Sequence, residues 1–256
     1  MLEARIREAR ARNDILLMTH IVVGYPSLAA SFETVDAMVE AGVDLMELQI
    51  PFSEPMADGP VILAANQKAL ARGITVERCL DFAASVARKH PIPFLFMTYY
   101  NVLFRAGLTR FAQAMKAAGL TGAIVPDLPP EEGTDYLAAM DAAGLAPIFI
   151  YAPTTSEDRL RTIAKSARGF IYCVARKGVT GKHTTFSGEL EAYLARCRAA
   201  TTLPLAVGFG VQDASDVAFL RGKVDIAVVG SATLRLVDDK GTGAVAPFIR
   251  SLRGPV

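Results

Sequence analysis

The sequence is poor in cysteine, in net charge and in long apolar runs, and each shortage excludes a class of protein. Its three cysteines, Cys79, Cys173 and Cys197, are an odd number, lie far apart and form no CxxC pair. This pattern argues against a disulfide framework and against a zinc site. We therefore expect a protein of a reducing compartment, with the cytoplasm as its location.

The formal net charge of the 256 residues is only +1. Nucleic-acid-binding proteins normally carry a clustered basic face, so nucleic acid is not an expected partner. The arginines of residues 1–12 alternate with Glu3 and Glu8. This pattern indicates an exposed amphipathic helix, with a partner-binding helix as the alternative. No apolar run approaches the roughly 18 residues of a membrane span, and the first residues do not resemble a signal peptide, so no membrane association is expected.

Short apolar runs alternate with helical patterns along the chain. Most runs are continuously apolar, as is typical of parallel strands covered on both faces. Repeated strand–helix units predict one α/β domain over residues 1–256, folded as a (β/α)8 TIM barrel with an N-terminal helix and short extra helices in the βα loops. A doubly wound open sheet is the alternative. The predicted strands lie at 16–24, 43–50, 92–100, 122–127, 145–151, 169–175, 203–210 and 224–230. Among the helical segments, 213–222 has Asp213 and Ser215 as candidate N-caps.

Small residues follow the last strands, at the end of a barrel where enzymes place their chemistry. Gly208 and Gly210 follow the seventh strand and would let the backbone approach an oxyanion closely. Gly230 and Ser231 begin a helix after the eighth strand, where N–H groups, the helix dipole and the Ser231 hydroxyl favour an anion. Gly181, after the sixth strand, can complete the cradle. Together these groups predict a phosphate site, although each glycine alone is equally explained by a tight turn.

Two acidic residues belong to the second strand and its loop. Glu47 interrupts an apolar strand, and if it points into the barrel it is partly desolvated and suited to proton transfer. Asp58 lies on the following loop and can reach over the barrel mouth. Together the two carboxylates are a candidate acid/base pair. The alternatives are a structural role for Glu47 and a turn position for Asp58.

The segment ELQIPFSEPMADGP, which carries both acids, closely resembles the signature of the tryptophan synthase alpha subunit family. The resemblance extends over nearly the whole chain. Further matching segments occur in the family's order and spacing: TYYN at 98–101, PDLPPEE at 126–132, APIFI at 146–150, RKGVTG at 176–181, GFGV at 208–211 and GSA at 230–232.

The resemblance implies a lyase of tryptophan biosynthesis that splits indole-3-glycerol phosphate into indole and glyceraldehyde 3-phosphate by retro-aldol chemistry. It implies Glu47 as the general acid/base and Asp58 as the carboxylate that binds the indole N–H and stabilises positive charge there. It further implies that Tyr172 helps to position the catalytic carboxylate and that Thr180 lies on a mobile sixth loop. The full set of implied substrate-binding residues is Tyr172, Thr180, Gly181, Phe209, Gly210, Gly230, Ser231, Tyr99 and Ile62.

The resemblance also implies a partner, a pyridoxal-phosphate-dependent beta subunit that receives indole through an internal tunnel in an α2β2 tetramer. The loop with Glu54 and Pro55 and the segments near Asn101 and Pro129 match the surface that faces this partner. The alpha chain itself is expected to need no metal and no cofactor. Two other hypotheses stay open. One is a free-standing indole-releasing lyase, or a barrel shifted to another phosphorylated aldol-type substrate; the other is a catalytically silent chain that activates a beta subunit. Retention of both acids speaks against the silent chain.

Four positions depart from the family pattern. Gln49 stands where the family has glycine two residues after Glu47, and Leu63 stands where a glutamine is common. In the first strand, His20 and Val22 stand at the positions of a phenylalanine and a threonine. His20 is either a neutral ring hydrogen-bonded in the barrel mouth or a polar group that alters indole binding or proton transfer by Glu47.

Overall fold

A computed structural model describes residues 1–175, 188–208 and 210–253. Eight parallel strands form a closed barrel in sequence order, with the last strand paired to the first. This confirms the predicted (β/α)8 TIM barrel and excludes the open sheet. The strands are β1 (Leu16–Val22), β2 (Leu45–Gln49), β3 (Phe94–Met97), β4 (Gly122–Ile124), β5 (Ala146–Tyr151), β6 (Ile171–Val174), β7 (Leu205–Gly208) and β8 (Ile226–Val229).

Helices follow the strands, and β2, β3, β4 and β8 are each followed by more than one helical segment, as the prediction of extra helices requires. Short 3₁₀ helices occur at Pro130–Glu132 and Thr242–Ala244. Within the described ranges, no helix combines the length and apolarity needed to cross a bilayer. The α-helices are α1 (Leu2–Arg10), α2 (Leu28–Glu40), α3 (Pro60–Ala71), α4 (Val76–Lys89), α5 (Tyr100–Ala106), α6 (Leu108–Ala117), α7 (Thr134–Ala143), α8 (Glu157–Ser166), α9 (Gly188–Ala200), α10 (Ala214–Leu220), α11 (Ser231–Lys240) and α12 (Val245–Leu252).

The strands are apolar on both faces because each face packs against a different layer. Leu16 and Met18 of β1 belong to the cluster inside the barrel, together with Leu45 of β2. Leu17 and Met46 belong to the larger cluster between the strands and the helices. Since successive strand residues point to opposite faces, the inward positions that follow Met18 and Leu45 are residues 20, 47 and 49. Three polar residues are thereby placed at the upper end of the barrel interior.

Helix α1 packs its apolar side against the opposite end of that interior. Leu2 is 5% exposed and Ile6 is 2% exposed, and both pack with the inner cluster. Glu3 and Arg7 form an exposed ion pair on the other side of the helix, at 2.8 Å. The predicted amphipathic helix is therefore present, and its buried side fills the N-terminal mouth of the barrel.

Side-chain caps fix the starts of several helices. Ser27 accepts a hydrogen bond from the backbone N–H of Ala30 at the start of α2. Asp213 caps α10 through a capping box with Asp216, which confirms the first of the two predicted caps. The prediction for Ser215 was wrong, because this residue lies in the first helical turn and its hydroxyl donates to Asp213 at 2.6 Å. Asp213 lies one position before the helix, so its carboxylate can accept from the free backbone N–H groups of Ser215 and Asp216.

Candidate active site

A cavity of about 450 Å³ lies at the C-terminal ends of the barrel strands. Active sites of TIM-barrel enzymes lie at this end, because the βα loops meet there. Three of the predicted residues, Thr180, Gly181 and Phe209, lie outside the described residues. The predicted residues that line the cavity are Glu47, Asp58, Ile62, Tyr172, Gly210, Gly230 and Ser231.

Glu47 points into the barrel, as the catalytic hypothesis requires. The register of β1 on β2 places it beside His20, and Oε1 of Glu47 lies 3.1 Å from Nδ1 of the histidine. Both side chains are buried, at 5% and 4% exposure. When Glu47 is ionised its carboxylate only accepts, and the ring then donates through Nδ1. His20 is thus hydrogen-bonded in the barrel mouth, and its partner is the predicted catalytic acid.

The carboxylate of Glu47 also changes the proton affinity of the ring. Burial by itself lowers the pKa of His20, because it disfavours the imidazolium form. The hydrogen bond and the negative charge of Glu47 act in the opposite sense, with a smaller contribution from Asp58, and the net pKa of His20 is raised. The ring therefore holds a proton more readily than an isolated histidine.

Asp58 is held by two side chains that donate to the same oxygen. Nε2 of Gln49 lies 2.7 Å from Oδ2, and the hydroxyl of Tyr99 lies 3.0 Å from it. The tyrosine is itself fixed by the backbone N–H of Ala57, at 3.1 Å. Burial raises the pKa of Asp58, and the hydrogen bond from Gln49 partly offsets the rise. The backbone N–H of Asp58 also closes a turn onto Pro55 at 2.9 Å, so the predicted turn position is confirmed, while the carboxylate still lines the cavity.

Tyr172 reaches across the barrel interior from β6 toward β7. A Cβ atom at Gly208 would lie 2.1 Å from its hydroxyl oxygen, so only glycine leaves room for the ring at this point. Gly208 therefore accommodates Tyr172, a reason for glycine at this position that differs from the predicted approach to an anion. Burial raises the pKa of Tyr172 well above its ordinary value, and the charges of Glu47 and Asp58 raise it further.

The N-terminus of α11 faces the same cavity. Ser231 is the first residue of this ten-residue helix, as predicted, and Gly230 occupies the N-cap position without a side-chain cap. Both residues line the cavity, as does Gly210, whose φ of 144° favours glycine. Backbone N–H groups and the positive end of the helix dipole are thus directed toward the space that the two acids share.

Large apolar side chains are exposed around this end of the barrel. Met56, in the loop after β2, is 77% exposed, and Phe104 of α5 is 66% exposed. Of the residues predicted to face a partner, Glu54, Asn101 and Pro129 are exposed and Pro55 is buried. Neither Met56 nor Phe104 was predicted to face a partner, although a bulky apolar residue in the loop after β2 was a visible signal for Met56.

A family model for the tryptophan synthase alpha chain matches residues 6–250. The chain belongs to the tryptophan synthase alpha chain family. Among curated relatives, the tryptophan synthase alpha chain of Syntrophotalea carbinolica is 66% identical over 99% of this chain and 100% of its own length. That of Desulforapulum autotrophicum is 63% identical over 98% of this chain and 100% of its own length.

Solved structures of tryptophan synthases have the same fold. A chain of Mycobacterium tuberculosis tryptophan synthase superposes with a TM-score of 0.92, at 32% identity, and the match covers 98% of this chain and 96% of that one. A chain of the tryptophan synthase α2β2 complex of Pyrococcus furiosus gives 0.88 at 30% identity, with 95% and 99% covered. The tryptophan synthase alpha chain is the lyase subunit that cleaves indole-3-glycerol phosphate, so the resemblance and the enzyme class that it implied are confirmed.

Proposed function

We propose that Glu47 and Asp58 carry out the cleavage of indole-3-glycerol phosphate and that this chain acts as the alpha subunit of an α2β2 complex. The observation that carries this assignment is that both acids and the N-terminus of α11 open onto one cavity. The substrate has a matching layout, with an indole N–H, a reacting carbon and hydroxyl, and a phosphate at the far end.

The phosphate is held at the start of α11. Its charge is stabilised by the helix N-terminus and by the Ser231 hydroxyl. The indole ring then packs against apolar side chains of the cavity wall, such as Ile62, Ile124 and Ile150. The N–H of the ring donates to Asp58. Because Gln49 and Tyr99 both donate to Oδ2, they fix the direction in which this carboxylate faces the ring.

Glu47 moves the protons of the reaction. In its acid form it gives a proton to C3 of the indole, and Asp58 stabilises the positive charge that develops on the ring nitrogen. The bond between C3 and the hydroxyl-bearing carbon then breaks, and its electron pair returns to the ring. The hydroxyl proton passes to Glu47 as the aldehyde forms, so that the carboxyl group ends the cycle as it began. Tyr172 lies near both acids and limits where the carboxylate of Glu47 can lie.

The exposed apolar residues support the partner. Burying Met56 and Phe104 against a beta subunit would remove apolar surface from water beside the cavity entrance, where indole has to leave. Met56 also lines the cavity, so this contact would link the partner directly to the site. We place the complex in the cytoplasm, a compartment in which the three free cysteines stay reduced.

The first experiment is to measure glyceraldehyde 3-phosphate release from indole-3-glycerol phosphate, with and without an added beta subunit. Slow release that rises strongly with the partner supports the proposal. Fast release without the partner would indicate a free-standing lyase. No release in either case, from folded protein, would indicate a changed substrate or a silent chain.

A matched variant tests the partner surface alone. Phe104→Asp places a charge on an exposed helix position and should leave the release without partner unchanged. Stimulation by the beta subunit should fall, because a carboxylate is costly to bury at an interface. Equal stimulation of parent and variant would remove Phe104 from the proposed contact.

A further inference from the structure

The contact between His20 and Glu47 follows from the barrel itself. The two residues are paired in the β1–β2 register, both point inward, and the preceding inward residues on their strands, Met18 and Leu45, are packed in the core. Neither side chain can turn away without leaving the barrel interior. The 3.1 Å approach of Nδ1 to Oε1 is therefore built into the strands and does not depend on a loop.

The other ring nitrogen of His20 faces a different situation. Nε2 is buried and meets no hydrogen-bond partner at ordinary distance and angle within the described part of the chain, although the amide of Gln49 lies close enough to raise the pKa of the ring. The ring lines the cavity next to Gly230, where an added Cβ would lie 3.7 Å from Cβ of His20. A buried ring nitrogen without a hydrogen bond is costly, so a ring that served only to fill space would be better as a hydrocarbon. Packing at this position would be served by an apolar side chain, so the polarity of His20 needs another explanation.

The ionisable groups around the His20 ring determine how firmly it holds a proton. Glu47 of β2 is in contact with it, and Asp58 of the following loop adds a second negative charge. Tyr99, after β3, and Tyr172, on β6, are phenols that are neutral near pH 7, and burial raises the pKa of each further. Among the described residues that line the β8 and α11 side of the cavity, none is ionisable. Two carboxylates therefore act on one imidazole.

We propose that His20 is a positioning residue for Glu47, sharing one proton with it so that the carboxylate is held in one orientation and the pair retains an acidic proton at neutral pH. This inference rests on the proposed function of Glu47 and extends it. The reaction returns the proton to the pair in every cycle, since C3 takes one proton and the hydroxyl gives one back.

The pair behaves differently from a lone carboxyl group as the pH rises. A single proton shared between carboxylate and imidazole is released at the higher pH at which an imidazolium beside a negative charge ionises. Without the ring, the proton would be held by a carboxyl group alone, and carboxyl groups ionise at lower pH than histidines. The alkaline limb of the kcat profile is thus the signature of the pair.

Kinetics of His20 variants test the proposal. For His20→Phe, we expect kcat to fall by about 10- to 100-fold and KM to change by less than about threefold, because the variant loses orientation and proton retention but not substrate contacts. The alkaline limb of kcat should move to lower pH. His20→Asn keeps a neutral N–H donor, so it should regain part of kcat while its alkaline limb stays at the lower pH.

A second histidine serves as the control. Nε2 of His90 lies 2.7 Å from Asp36, so it is also paired with a carboxylate, but it does not line the cavity. His90→Phe should leave the pH profile of kcat where it is. A matching shift in both phenylalanine variants would show that the effect is not specific to the site.

Titration by NMR tests the pairing without turnover. The chain has three histidines, so the ring signals of a histidine-labelled sample are few, and His20→Phe assigns one of them. We expect the His20 midpoint to lie above the roughly 6.5 of a free histidine and to fall in Glu47→Gln, since an amide does not attract the imidazolium.

Each outcome separates the two claims. A His20→Phe enzyme whose kcat and pH profile match the parent would overturn the proposal, as would a His20 midpoint that Glu47→Gln leaves unchanged. If the parent does not cleave indole-3-glycerol phosphate at all, the proposed function fails, and the NMR titration still decides whether His20 and Glu47 share a proton.

Discussion

The two mouths of the barrel are built from the same strands and yet treat polar groups in opposite ways. At the N-terminal mouth, Asp225 accepts the backbone N–H of Leu205 at 2.8 Å and forms ion pairs with Arg10 and Arg198. At the C-terminal mouth, Nε2 of His20 and Oε1 of Gln49 are buried without a hydrogen-bond partner in the described ranges. The polar groups named at the N-terminal mouth are thus hydrogen-bonded or ion-paired, whereas the two atoms named at the C-terminal mouth are not.

This difference reflects what each end is for. Satisfied charges and the packed side chains of α1 stabilise the fold, and nothing at that end needs to change during turnover. Unpaired buried polar atoms each cost about 1–3 kcal/mol in stability. An enzyme with such atoms beside a cavity has given up stability for function, as expected where local rules are broken.

The largest effect should come from Glu47→Gln at the C-terminal mouth. The variant keeps the shape of the side chain and loses the proton, so we expect kcat to fall by about a thousandfold, or about 4 kcal/mol. Substrate affinity should change little. Because the chain has no tryptophan, the fluorescence of the substrate's indole reports binding directly. A kcat within a few-fold of the parent would contradict the role of Glu47.

The N-terminal mouth should respond in stability alone. Ile6→Ala removes packing from a residue that is 2% exposed, and we expect the free energy of unfolding to fall by about 3 kcal/mol. The matched Ile6→Val should cost about 1 kcal/mol. Urea denaturation measures both, and kcat per folded molecule should match the parent. A proportional loss of kcat would show that the two mouths are coupled and would break the comparison.

Ser231→Asp should weaken substrate binding without lowering the stability of the fold. The new carboxylate repels the substrate phosphate, so we expect KM to rise by about thirtyfold, or about 2 kcal/mol. The same charge at a helix N-terminus stabilises α11, so the unfolding free energy should stay equal or increase. Ser231→Ala removes only a donor and should raise KM by about threefold to tenfold. An unchanged KM in the aspartate variant would place the phosphate elsewhere.

The smallest effect should come from Gln49→Leu, which removes the donor to Asp58. That hydrogen bond lowers the pKa of Asp58, so its loss raises the pKa further above the ordinary value. In the proposed function Asp58 works as a carboxylate, so activity should be lost as the pH falls through its pKa. The acid limb of kcat/KM should therefore move to higher pH, with a loss of about tenfold at neutral pH. An unmoved limb would show that Gln49 does not act on Asp58.

The fold was predictable from the sequence because burial on both faces leaves a clear pattern. All eight strands lie within the predicted ranges, and the errors are at the ends. The predicted range 92–100 is longer than β3 because Thr98 and Tyr99, which follow the strand, are also buried. An apolar run in the sequence indicates buried residues, and residues can stay buried beyond the point where strand pairing ends. The run therefore predicts a longer strand than the structure has.

The site was predictable only where function depends on position along the chain. Glu47 and Ser231 could be placed in the candidate site because Glu47 interrupts the apolar run of β2 and Ser231 begins the helix after β8. The partner of His20 depends on the register between two strands, and the contact from Gln49 to Asp58 depends on how a loop folds back. The space that Gly208 leaves for Tyr172 could not be predicted either, because the tyrosine hydroxyl belongs to another strand.

The pairing of β8 with β1 also matters while the protein is being made. The first strand emerges from the ribosome early, but the strand that covers its outer edge is among the last segments to be translated. At ordinary rates of synthesis this interval lasts roughly 10–40 s. During it, the part of β1 that later pairs with β8, residues Leu16–Thr19, has no covering strand, although each of these residues is buried in the finished barrel. We expect this early strand to be the segment of the nascent chain that depends most on chaperones.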